Sequence, residues 1–231
     1  KIGLGVMGWA DLLVLKGIPY NHRKAFALAR DLMKFVRDKA REASVELAGQ
    51  RGVFPNFSGS VYDAPGMPRQ RNATLTTVAP TGTLSLIAGC SSGIEPIFAI
   101  AYKRLVLDTE LTDINRHFVS IARQRGLYSE ELMAKVIDKG SLRCVSEVPP
   151  EVRRLFRTAF EIPAEDHIEM QAAFQEYTDN AVSKTINLPK RAKHEDVARA
   201  FLMAYEKGVK GITVFRYGSK RGTLVRFGDV D

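Results

Sequence analysis

Asn72-Ala-Thr-Leu-Thr-Thr-Val-Ala-Pro-Thr-Gly-Thr-Leu-Ser-Leu-Ile-Ala-Gly-Cys-Ser-Ser-Gly-Ile-Glu-Pro96 reads as a half-buried strand, a turn of small residues and a short apolar helix in direct succession. Leu75, Val78 and Ala79, set among threonines, favour a strand, and Pro80 ends its ladder because proline has no N–H to donate. Thr81, Gly82 and Thr83 follow. Gly82 lets a ligand approach the backbone closely, and either threonine suits the cap of a helix beginning near Leu84. Unpaired amides in such a turn, with the positive end of the helix dipole, favour an anion by about 0.3–1 kcal/mol, or ~2 kcal/mol when partly buried. On local chemistry alone the same residues also suit an ordinary strand-to-helix connection.

Upstream, Phe26, Ala29, Met33, Val36, Ala40, Ala43 and Leu47 recur at three- and four-residue steps, which predicts one long amphipathic helix over residues 21–48. Asn21 is placed to cap it, and Gly49 or Gly52 to end it. The following stretch to Arg71 is rich in Pro, Gly and aromatic residues without helical period, as in a connection laid over a site or a subunit surface. Downstream, residues 97–107 read as strand-like. Helices are predicted at 113–124, 129–139, 150–159 and 164–179, which makes a mostly helical excursion over about 111–180. A strand at 181–188, a helix at 194–207 and a strand at 211–215 then imply a parallel strand–helix–strand crossover.

The 231 residues, 45% hydrophobic and 26% charged, have the composition of a folded globular chain, one large domain or half of a larger closed architecture. No apolar run approaches the ~18 residues of a membrane span, and Lys1 opens the chain without a signal-peptide layout, as if cut from something longer. Two cysteines, Cys90 and Cys144, fit a reducing cytoplasm rather than a disulfide framework. The formal charge of +8 favours an anionic partner. Yet the basic residues of the long helix alternate with Asp31, Asp38 and Glu42, the pattern of a solvated face rather than a duplex-binding surface. A basic nucleic-acid-binding or interaction module without catalytic activity remains the rival reading.

Gly3-Leu-Gly5-Val-Met-Gly8 matches the dinucleotide-binding spacing, but only two residues precede it and no acidic residue ends a following strand, so close helix packing explains these glycines better. His22, His117, His167 and His194 are scattered, and no metal site is expected. Cys90 has no histidine or basic neighbour in sequence and reads as a small packed residue. Arg216-Tyr-Gly-Ser219, and Lys184 and Asn187 on the preceding strand, stand where α/β folds place ligands, or are plain turn and strand residues.

The stretch from Ala79 to Pro96 resembles the substrate-phosphate loop of ribonucleotide reductase catalytic chains, in the adenosylcobalamin-dependent class. Similar matches run through Lys1-Ile-Gly-Leu-Gly-Val-Met-Gly-Trp-Ala-Asp-Leu12, residues 170–189 and Lys210-Gly-Ile-Thr-Val-Phe-Arg-Tyr-Gly-Ser219. The resemblance implies an α/β fold, the C-terminal half of a ten-stranded barrel with extra surface helices. It also implies that Pro80, Thr81, Gly82, Thr83 and Leu84 cradle the phosphates of a ribonucleoside di- or triphosphate. Catalysis in the family needs a thiyl-radical cysteine within an Asn-x-Cys-x-Glu motif, which is absent from these 231 residues, so no catalytic residue is expected in the chain and the isolated piece is expected to be inactive.

Thr213 and Val214 occupy what corresponds to the adjacent tyrosines of iron-dependent relatives, and Arg216-Tyr-Gly-Ser219 is not a glycyl-radical motif, which leaves adenosylcobalamin as the implied cofactor. The implied partners are the upstream half of the same barrel and a thiol reductant such as thioredoxin. A homodimer is compatible with the resemblance, and neither a membrane nor specific nucleic acid is expected.

Overall fold

Gly3 and Gly5 let the opening segment lie directly against residues 74–78. A Cβ on Gly5 would stand 1.9 Å from the Thr77 carbonyl oxygen, and one on Gly3 2.5 Å from Thr77 Cγ2. The expected role of these glycines in helix packing is therefore corrected: they permit strand-against-strand approach. The computed structural model describes residues 1–106 and 109–219. Within it Leu4 bridges Thr76 and Val78 bridges Val182, both in parallel. Beyond them β3 (Thr185–Leu188) pairs in parallel with β4 (Thr213–Arg216), Thr185 opposite Thr213 and Leu188 opposite Arg216. Four chain segments thus make one parallel wall, the partial barrel of an α/β fold.

The wall is more broken than the strand propensities predict. The amides of Leu75 and Thr76 are donated to Asp179 Oδ2, at 2.8 and 3.3 Å, and the Thr76 carbonyl accepts from the Asn180 amide. Side-chain and turn bonds there replace ladder bonds, so residues 72–79 form isolated bridges rather than a continuous strand. Likewise the Thr185 amide is taken by Glu95 Oε1 at 2.7 Å, and β3 begins only there instead of at Ala181.

The strand-like stretch after Ile97 does not join the wall. β1 (Ala101–Val106) pairs antiparallel with β2 (Thr109–Ile114), so the helix expected from Asp113 starts later, as α4 (Arg116–Gln124). Asn115 sets that boundary by accepting from the amides of His117 and Phe118. α5 (Glu130–Lys139) and α6 (Pro150–Leu155) follow, and their apolar faces close a core around Phe118, Val136 and Phe156.

α1 (Trp9–Leu15), which the sequence reading did not anticipate, α2 (Arg23–Arg51) and α7 (Ala164–Gln175) bury a second core beneath Val78 and Val182, with the Trp9 and Phe174 rings edge to face at 5.0 Å. The cap of α2 is His22, whose side chain accepts from the Lys24 amide, while Asn21 donates to Asp166 Oδ2 at 3.0 Å. Gly52, at φ 73°, ends it. Arg30 ties α2 to α7 by pairing with Glu169 and Glu176, each at 3.0 Å. On the other flank α8 (His194–Glu206) packs Ala200 and Ala204 on Ile186 and Leu188.

Candidate functional site

The turn after Val78 is held in an unusual shape. Thr81 has φ 52°, the only positive φ of a non-glycine residue among those described, a conformation worth roughly 1–3 kcal/mol of strain. Its hydroxyl does not cap the helix, as expected, but accepts from the Gly93 amide at 2.8 Å, and Ser92 Oγ donates to the Pro80 carbonyl. Gly93, at φ 47°, lies so near that a Cβ would be 3.1 Å from the Ala79 carbonyl oxygen. The returning segment 91–93 therefore braces the turn from behind.

From this brace α3 (Gly82–Ala88) starts two residues earlier than expected. The amides of Gly82, Thr83 and Leu84 occupy its first turn, where no intrahelical acceptor exists, and no described residue accepts from them. All three residues are exposed, and a Cβ added to Gly82 would meet nothing within 4 Å. Inside the helix, Ser85 closes the frame by donating its amide to Thr81 O at 2.8 Å and its hydroxyl to Gly82 O at 2.9 Å.

The brace is anchored in turn to α1. The Ser91 amide donates to Asp11 Oδ2 at 2.7 Å, Ser91 Oγ accepts from the Asp11 amide, and the Gly8 amide donates to Ser91 O. His117 Nε2 lies 3.6 Å from the other Asp11 oxygen. Just past the brace, Ile94 O accepts from the buried Tyr20 hydroxyl at 2.7 Å. Burial and the Glu95 charge push that phenol well above its usual range.

Glu95 itself reaches β3. Its Oε2 pairs at 2.5 Å with Lys184, whose side chain is fully buried and also donates to Thr185 O. Burial pulls the lysine below its ordinary pKa, while Glu95 pulls the other way. Burial and the Lys184 charge together hold the nearby His167 imidazole well below its usual range; its Nε2 lies 2.9 Å from Ala159 O.

Of the other sequence candidates, Asn187 is buried, and Arg216 bonds Lys190 O at 3.0 Å within a turn that docks Tyr217 against Phe160. Cys90 is half-buried beside Gly8, and Cys144 is exposed; both are free. Ser91, Ser92, Gly93 and Asp11, which shape the turn, were not singled out, and the Glu95–Lys184 pair spans a sequence separation of 89. The basic face of α2 is internally paired, as Lys34 and Arg37 with Asp38 and Lys39 with Glu42.

A model of the ribonucleotide reductase barrel domain matches residues 1–70 and 66–215. The chain belongs to the ribonucleotide reductase family. It is 48% identical over 232 residues to a vitamin B12-dependent ribonucleoside-diphosphate reductase of Thermoplasma acidophilum, covering all of this chain and 30% of that protein. A protein of the same name from Mycobacterium tuberculosis (strain H37Rv) is 48% identical over 227 residues, 98% of this chain and 32% of its own length. The chain thus spans about a third of the ribonucleotide reductase chains it matches. Among solved structures, the Actinobacillus ureae class Id ribonucleotide reductase alpha subunit superposes with a TM-score of 0.80 at 26% identity, over 94% of this chain and 39% of the other.

Proposed function

We propose that this chain forms part of the catalytic barrel of an adenosylcobalamin-dependent ribonucleoside-diphosphate reductase, in which Pro80, Thr81, Gly82, Thr83 and Leu84 hold the substrate phosphate. The observation that carries this reading is the exposed, unpartnered row of amides at Gly82, Thr83 and Leu84, on a turn fixed from behind by Ser92 and Gly93. A phosphate seated there would take charge-assisted bonds worth ~1.5–3 kcal/mol each. The names of the 48% identical relatives support both the cofactor and a diphosphate substrate.

In the proposed reaction a thiyl radical takes the ribose 3′ hydrogen, the 2′ hydroxyl leaves as water, and a cysteine pair reduces the sugar. With no Asn-x-Cys-x-Glu motif, these residues contribute orientation, and fixing the phosphate fixes the ribose, a placement worth roughly 7–11 kcal/mol in the best cases. Adenosylcobalamin would supply the radical. Thr213 and Val214, opposite Thr185 and Ile186, carry no redox-active group, which supports a radical made at a cofactor rather than delivered through tyrosines. The same reading gives the chain the rest of its barrel as a neighbour, a thiol reductant such as thioredoxin and a cytoplasmic setting.

Gly82→Val in the full-length reductase tests the assignment. The added side chain meets open space, so stability should hold within about 1 kcal/mol while KM for the ribonucleotide rises ten- to a hundredfold and cobalamin affinity stays normal. An unchanged KM would remove the turn from substrate binding.

A further inference from the structure

A cavity of about 850 Å³ opens between α6, the start of α7, the end of β3 and α8, on the flank where α8 packs. Six arginines line it: Arg143, Arg153, Arg154, Arg157, Arg191 and Arg199. Three carboxylates share the wall, the exposed Glu165 and two that are already engaged. Glu161 accepts from the Thr158 amide and hydroxyl and from Ser141 Oγ, and Asp196 accepts from the Lys193 amide and pairs with Arg199 at 2.9 Å.

None of Arg143, Arg153, Arg154, Arg157 and Arg191 makes an ion pair with a described carboxylate, and the polar bonds of Arg153 and Arg157 are long, 3.4 Å to Arg143 O and 3.4 Å to Asn21 Oδ1. Arg153 Nε is buried without any partner. Six guanidinium groups outnumber the three carboxylates of the wall, so they repel one another unless a further anion lies among them, and their planar forks match phosphate oxygens. The rest of the wall is apolar, with Phe160, Ile168, Leu188 and Met203, and the volume lies within the ~300–1,000 Å³ of small-molecule sites. No residue from 79 to 96 lines it, so the turn and the cavity are separate places.

We infer that this cavity is a second anion site of the chain, one that takes a triphosphate group. The guanidinium cluster binds the phosphates, and the apolar wall is available to whatever the triphosphate carries. Two sources share that chemistry, a nucleoside triphosphate and free inorganic polyphosphate.

Calorimetric titration of the full-length reductase in the Gly82→Val background, where binding at the turn is expected to be weakened, tests the site apart from the proposed substrate seat. Inorganic tripolyphosphate should still bind, and adding Arg154→Glu and Arg199→Glu should weaken it at least tenfold. Both side chains are exposed enough to change without unfolding, which an unaltered melting temperature verifies. Arg125→Glu, outside the cavity and paired with Glu151, should change affinity less than twofold. A greater loss of ATP than of tripolyphosphate affinity in the cavity variants would assign the ligand to the nucleoside form, and equal losses to the free polyphosphate. The inference is overturned if the cavity variants bind like their parent, if Arg125→Glu weakens binding equally, or if millimolar tripolyphosphate does not bind. The last result is the one expected of a cavity filled by an acidic stretch of protein.

Discussion

Replacing Glu95 by Gln removes one charge from the pair that fastens the braced turn to β3, while leaving an oxygen to accept from the Thr185 amide. Lys184 is then a fully buried ammonium without a counterion. It can stay charged, at the ~3–5 kcal/mol typical of a broken buried pair, or lose its proton. The second route sets a ceiling: taking a proton from a lysine of ordinary pKa ~10.4 at pH 7 costs about 4.6 kcal/mol. Glu95→Gln should therefore destabilise by about 3–4.5 kcal/mol at pH 7.

The pH dependence has a definite sign. Burial already lowers the Lys184 pKa in the native protein, and loss of Glu95 lowers it further. Where the folded variant holds the lysine neutral, the unfolded chain binds one more proton, so variant stability rises with pH by about 1.4 kcal/mol per unit until it approaches the unfolded pKa near 10.4. Lys184→Met should cost less, because Glu95 retains some contact with water, and the double variant should recover part of the loss. Urea unfolding of the full-length reductase at pH 6.5, 7.5 and 8.5 reads all four proteins. A single Glu95→Gln penalty below about 1 kcal/mol would refute the reasoning, and a larger one that does not shrink as pH rises would refute the neutral-lysine route.

Gly5→Ala forces a Cβ into the Thr77 carbonyl oxygen and should break the bonds between Leu4 and residues 75 and 77, costing about 2–4 kcal/mol in thermal unfolding, whereas Gly49→Ala inside α2, whose Cβ meets open space, should stabilise by up to about 1 kcal/mol. Cys90→Ala and Cys144→Ser, singly or together, should retain turnover within threefold in the full-length enzyme; loss of activity with either would place a redox cysteine in this part of the barrel.

What could be read from the sequence follows from the range of the forces involved. The 29-residue helix α2 was legible because its apolar stripe repeats locally, and the turn because Pro80, Gly82 and the threonines impose backbone choices on immediate neighbours. The cap was misread at Asn21 because that side chain is drawn 145 residues away, to Asp166. The broken ladder at Leu75 and Thr76 was hidden for the same reason, since the competing acceptor is Asp179. Thr81 was given a capping role that its left-handed backbone prevents. The hairpin of β1 and β2 was obscured because Asp113 and Ile114 suit a helix start as well as a strand end. Glu95 with Lys184, and the six arginines of the cavity, belong to a level that single-sequence periodicity does not encode: residues scattered along the chain meet only once the wall is built.

The exchange of bonds between Ser91 and Asp11 joins the opening helix and the turn proposed to hold the phosphate into a single mechanical part. Natural variation at Gly8 or Asp11 would then register as altered nucleotide affinity in residues that touch no nucleotide. Screens that score only contacts to substrate would overlook such positions, and the first dozen residues are where to search for them.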